Sequence, residues 1–126
     1  MKERKIAVLM VEPGKHPVIT TLENDLDSLQ KAVSIGASYQ GLIEIMTIRP
    51  GIVLLCNEEG KLIGLEGNRR IGHDVIAGVF YVVGEDRNGN LASLPKAALE
   101  EFKERFWNPE QLTPADVEHA LFMRFF

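Results

Sequence analysis

Leu42-Ile43-Glu44-Ile45-Met46-Thr47-Ile48-Arg49-Pro50-Gly51-Ile52-Val53-Leu54-Leu55-Cys56-Asn57 is the stretch on which the fold turns. Its two apolar runs are short and rich in β-branched residues, and Pro50-Gly51 punctuates them, which predicts strands over 42–48 and 52–56. The second run is apolar at every position from Ile52 to Cys56, the pattern of a central strand covered on both faces. Glu58-Glu59-Gly60 then predicts a hairpin turn into a further strand, Lys61-Leu62-Ile63-Gly64-Leu65.

Upstream, Ile6-Ala7-Val8-Leu9-Met10-Val11 predicts a buried strand, stopped by the turn residues Pro13-Gly14. Val18-Ile19-Thr20 predicts a brief second strand. Leu22, Leu26, Leu29 and Val33 recur at helical spacing, with acidic residues near the start, and predict an amphipathic helix at about 22–34. Thr21 or Asn24 would cap it and Gly36 would end it.

Downstream, Gly67-Asn68-Arg69-Arg70 reads as an irregular loop, and Val75 to Val83 as one strand closed by the turn around Asn88-Gly89. Leu99, Phe102 and Phe106 after Pro95 predict a helix that Asn108-Pro109 breaks. Thr113-Pro114-Ala115-Asp116 resembles a capping box and starts a last helix at Thr113. Strands grouped between helices with short connections give an α+β fold: a mostly antiparallel sheet, one helix after the first strand, two at the C-terminus.

The chain has 126 residues, 45% hydrophobic and 25% charged, with formal net charge −4. That length predicts one domain over 1–126, with a core over about 5–110 and a C-terminal helix over about 113–126. Charge is spread evenly and slightly acidic, which argues against a nucleic-acid binder. The apolar run after the charged N-terminus is too short for a signal peptide, and no run is long enough to span a bilayer, so a cytoplasmic protein is expected.

His16, His73 and His119 stand far apart, without metal-ligand spacing, so neither a metal nor another cofactor is expected. The single cysteine, Cys56, lies in a core-like run and reads as buried and inert. No Gly-x-Ser-x-Gly elbow is present, and Gly14-Lys15 lacks the rest of a phosphate loop. No catalytic residue is therefore assigned.

Asn68-Arg69-Arg70 offers an amide and two guanidiniums, groups that grip carboxylates or phosphates. With Lys15 and Asn57 they form a candidate site for an anionic small ligand such as a nucleotide. Alternatively, Asn68 bonds local backbone and the arginines pair with acidic neighbours. Leu121-Phe122-Met123-Arg124-Phe125-Phe126 is apolar on nearly every side. Leu121, Phe122, Phe125 and Phe126 are thus candidates for a homodimer seam or a partner surface, unless the tail tucks into its own domain.

Taken together, Val11-Glu12-Pro13-Gly14-Lys15, the run from Cys56 to Leu65, Asn68-Arg69 and the run from Asp74 to Gly84 resemble a small family. It is a domain-of-unknown-function family of Gram-positive bacteria, their plasmids and phages. The resemblance spans residues 5–110. Members usually carry a proline pair before the Asn-Arg, where Glu66-Gly67 stand here, which implies a differently shaped loop. The resemblance implies no catalytic residues. It does imply a setting, that of a mobile-element or phage accessory protein. The expected function is a non-enzymatic interaction module acting on a host protein; the alternative is a protein that sequesters an anionic ligand.

Overall fold

A strand with apolar side chains on both faces requires a packing layer on each side, and that requirement organises the computed structural model, which describes residues 3–125. In chain order the elements are β1 (Lys5–Val11), β2 (Val18–Glu23), α1 (Leu26–Ala32), β3 (Ile43–Arg49), β4 (Ile52–Asn57), β5 (Gly67–Ile71), β6 (Asp74–Ala77), β7 (Phe80–Glu85), β8 (Leu91–Ala92), α2 (Lys96–Arg105) and α3 (Pro114–Phe125). The main sheet runs β2-β1-β7-β4-β3, with the short β8 on β7, and every pairing is antiparallel.

Side-chain alternation divides the core in two. Leu9, Val11, Ile52, Leu54, Phe80 and Val82 face α2, meeting Leu99, Phe102 and Phe106. Ile6, Val8, Val53, Leu55, Tyr81 and Val83 face α1, meeting Leu29 and Val33. β4 is buried at all six positions, as its unbroken apolar run predicts. The α+β class, the antiparallel sheet and the three helices match the sequence reading.

A separate two-stranded hairpin, β5–β6, stands beside this sandwich. Ile71 and Ile76 turn toward the α2-side core, while Val75 and Ala77 face Val117 and Ala120 of α3. A lone hairpin is marginal in water, so this packing on two sides holds it.

Five sequence expectations are corrected. The first helix begins later than residue 22, because Leu22 pairs with Ile6 in β2. Its cap is neither Thr21 nor Asn24 but Asp25, whose carboxylate accepts from the Ser28 amide at 2.8 Å. Asn24 is engaged elsewhere, donating to the carbonyls of Glu3 and Leu91. Residues 61–65 form turns rather than a strand, since β3 and β7 already occupy both edges of β4. The expected strand over 75–83 is two strands. Gly78, at φ +85°, breaks it and donates its amide to Glu66. Finally, residues 67–70 are strand, not loop, because β6 supplies their partner.

The last helix starts as its capping box predicts. The Asp116 carboxylate accepts from the Thr113 amide at 2.8 Å, and the Thr113 hydroxyl accepts from the Asp116 amide at 3.2 Å. The Thr113 amide, and its hydroxyl donating to the same carboxylate oxygen, hold the Asp116 carboxyl below its ordinary range.

Candidate functional site

β5 opens with a register shift: Gly67 pairs with Ala77 and Arg69 with Ile76, so two residues oppose one and Asn68 is re-aimed. Asn68 and Arg69 are thereby completely enclosed. The Asn68 amide donates to Val11 O at 2.8 Å and to Gly78 O at 2.9 Å. The Arg69 guanidinium donates to Phe106 O from Nε and Nη2, to Lys15 O from Nη2, and to Asn68 Oδ1 from Nη1.

These bonds join the end of β1, the turn after it, the β6–β7 junction and the C-terminal cap of α2. Among the described residues, no carboxylate forms an ion pair with Arg69. Burial lowers the proton affinity of its guanidinium and the more distant charge of Glu110 raises it, yet an arginine stays cationic in a protein. A helix C-terminus carries partial negative charge, so the Phe106 carbonyl is a favourable acceptor for that cation. Every polar group of the pair is thus committed inside the molecule.

The five anion-site candidates therefore do not converge. Lys15 meets Arg69 only through its backbone carbonyl, while its amine lies 3.7 Å from Glu12. Arg70 points outward, 3.6 Å from Asp116 and 4.0 Å from Glu110. Asn57 makes none of the network's bonds: its Oδ1 accepts from the Glu59 amide, and its buried Nδ2 has no partner among the described residues. Cys56 is buried, with its thiol 3.7 Å from Glu44 Oε1.

An open apolar groove lies on the opposite flank of Gly67. One wall is the turn segment 60–66, held down by Lys61, whose ammonium donates to Asp74 Oδ1 at 2.7 Å and to Val75 O at 2.9 Å. Gly60 packs so closely on Ala77 O that a Cβ would stand 2.5 Å from it. The other wall is α3 and the residues leading into it. The cavity is about 540 Å³, with Leu62, Leu65, Leu112, Val117 and Leu121 forming its apolar lining. Its polar margin includes Glu66 and Glu118.

Gly67 is what lets α3 approach. A Cβ there would lie 2.8 Å from Leu112 Cβ and 2.9 Å from Val117 Cγ2. Position 67 is thus covered directly by Val117 of α3 and by Leu112 just before it.

Of the candidate interaction residues, Leu121 lines the groove and Phe122 is exposed beside it. Phe125 belongs to α3, but its side chain lies outside the described residues, as does all of Phe126. The sequence reading missed Leu62, Leu65, Leu112 and Val117 as groove residues. The i, i+4 spacing of Val117 and Leu121 was a legible signal for one wall. Nothing marked the other, since 61–65 resembles a strand.

Residues 4–107 match the model of a family described as "Domain of unknown function (DUF3846)". No curated protein and no solved structure matches the chain. The Asn68–Arg69 network, from Val11 to Phe106, lies wholly inside the matched region, whereas α3 lies beyond it.

Proposed function

The chain belongs to the DUF3846 family, whose function is unknown, and on that premise we propose that it is a non-enzymatic interaction module that seats an apolar segment of a partner polypeptide against α3. The open groove carries this reading. Its volume falls in the range of about 300–1,000 Å³ usual for binding clefts, and leucines dominate its lining. Removing such surface from water yields roughly 25 cal/mol per Å² of apolar area, which a partner's apolar side chains would supply. Leu62 and Phe122, both more than half exposed, extend the apolar surface beyond the cleft.

In the same proposal the chain is a cytoplasmic accessory protein of a Gram-positive bacterium, its plasmid or its phage, acting on a host protein. The family resemblance supports that setting. The anion-binding alternative has no comparable support, because Asn68 and Arg69 direct their donors inward.

Selection of a random peptide display library on the purified chain tests the reading. Enrichment of peptides with several large apolar residues is expected, and Leu62→Glu should abolish it. Absence of enrichment would overturn the proposal. A panel of nucleotides run beside it should leave the melting temperature unchanged, since ligand binding to the folded state must raise it.

A further inference from the structure

We infer that the occupant of this groove is the C-terminal part of α3 from a second copy of the chain, an inference that rests on the docking reading above and names its partner. Glu118 lines the groove at its edge, and Phe122, four residues on and exposed, stands next to Glu118 along α3. One helix thus offers a groove wall, through Val117 and Leu121, and beside it an exposed aromatic ring. A surface with both halves of a contact is self-complementary. A two-fold axis lays the ring of each copy into the groove of the other, and such an isologous contact closes at two copies.

Charge favours the same occupant. Lys61 borders the groove but is neutralised by Asp74 at 2.7 Å. Glu66 and Glu118 form no ion pair among the described residues, so the margin is acidic. An acidic, apolar groove suits an apolar segment with positive charge. Leu121-Phe122-Met123-Arg124-Phe125-Phe126 is such a segment, with Arg124 as its single charged side chain.

Sedimentation equilibrium of the full chain, from micromolar to near-millimolar concentration, tests the exchange. A monomer–dimer equilibrium is expected, weakened roughly tenfold or more by either Leu62→Glu or Phe122→Glu, with thermal midpoints unchanged at concentrations where the chain is monomeric. The mixture of these two variants discriminates further. A mixed dimer retains one intact ring-in-groove contact, so it should form more tightly than either variant alone. A chain monomeric throughout, or a dimer indifferent to both substitutions, overturns the inference. A monomer that still enriches apolar peptides through Leu62 removes the second copy as occupant and leaves the docking reading standing. A monomer that enriches none removes both.

Discussion

The Asn68–Arg69 pair directly follows Gly67, which lines the α3 groove, yet the pair and the groove follow opposite rules. The pair carries the functional groups usually associated with binding, yet it is fully enclosed and bonded to four parts of the backbone. The groove's apolar lining is leucine, valine and proline, and it is open. A guanidinium whose donors are all met inside the molecule has nothing left to offer a ligand. An apolar wall facing water still has its transfer free energy to gain. Interaction capacity is therefore better judged from what remains unsatisfied at the surface than from the chemical richness of a motif.

The sharpest way to break this contrast is Arg69→Ala. If the pair is internal scaffolding, removing the guanidinium strands the carbonyls of Phe106 and Lys15 and unties α2 from the β1 turn. Leaving a buried acceptor without its donor costs about 1–3 kcal/mol, so the loss of several should total roughly 3 kcal/mol or more, which urea denaturation followed by circular dichroism would register. A loss below about 1 kcal/mol, typical of a surface substitution, would mean that the network is not structural.

Tyr81 extends the test to an internal polar group whose charge can be switched. Its hydroxyl donates to Ala32 O at 2.9 Å, and burial, with a smaller contribution from Glu12, pushes its pKa up to about 12. The folded state therefore holds this proton more tightly than the unfolded chain, whose tyrosine titrates near its ordinary 10.0. The stabilisation is complete below pH 10 and is lost as pH rises toward 12, amounting to about 2 kcal/mol over that window. Tyr81→Phe should remove that alkaline slope while costing about 1 kcal/mol at neutral pH for the lost hydrogen bond.

Gly67→Ala acts where the two regions meet. The new methyl would press on Leu112 and Val117, and overpacking of this kind costs about 1–3 kcal/mol. Amide hydrogen exchange should show faster exchange in α3 with little change in β4. Uniform acceleration across the fold would instead tie the groove wall to the scaffold. Thr113→Ala is milder: it removes a capping bond at the start of α3 and should cost about 1 kcal/mol.

The same contrast explains what the sequence could reveal. β1, β3, β4 and β7 were legible because each is a short apolar run between turn residues. α2 and α3 were legible from apolar spacing and capping residues. The region from 61 to 78 was not. Lys61-Leu62-Ile63-Gly64-Leu65 has strand composition, but a strand needs a partner edge, and β4 has none free. Gly67-Asn68-Arg69-Arg70 has loop composition, but β6 gives it one. Both misreadings arise from tertiary pairing overriding local preference. They also misplace the candidate site, since a supposed loop of Asn and Arg implies exposure that the β5 bulge removes.

The smallest expected effect on stability separates the two regions most directly. Leu62 is 64% exposed, and its side chain contributes to the groove rather than to any of the three buried clusters. Leu62→Glu should therefore change unfolding free energy by no more than about 0.5 kcal/mol, as for other surface substitutions. Its consequence for association should be large, because a carboxylate in the apolar wall must be desolvated whenever a partner seats there, and it adds to the acidity of Glu66 and Glu118. Arg69→Ala should do the reverse, lowering stability first and association only as the fold fails. Measured side by side by denaturation and sedimentation, the two variants should fall in opposite corners. If Leu62→Glu instead unfolds the chain, the 60–66 segment belongs to the scaffold, and the division between saturated interior and available surface shifts past Gly67.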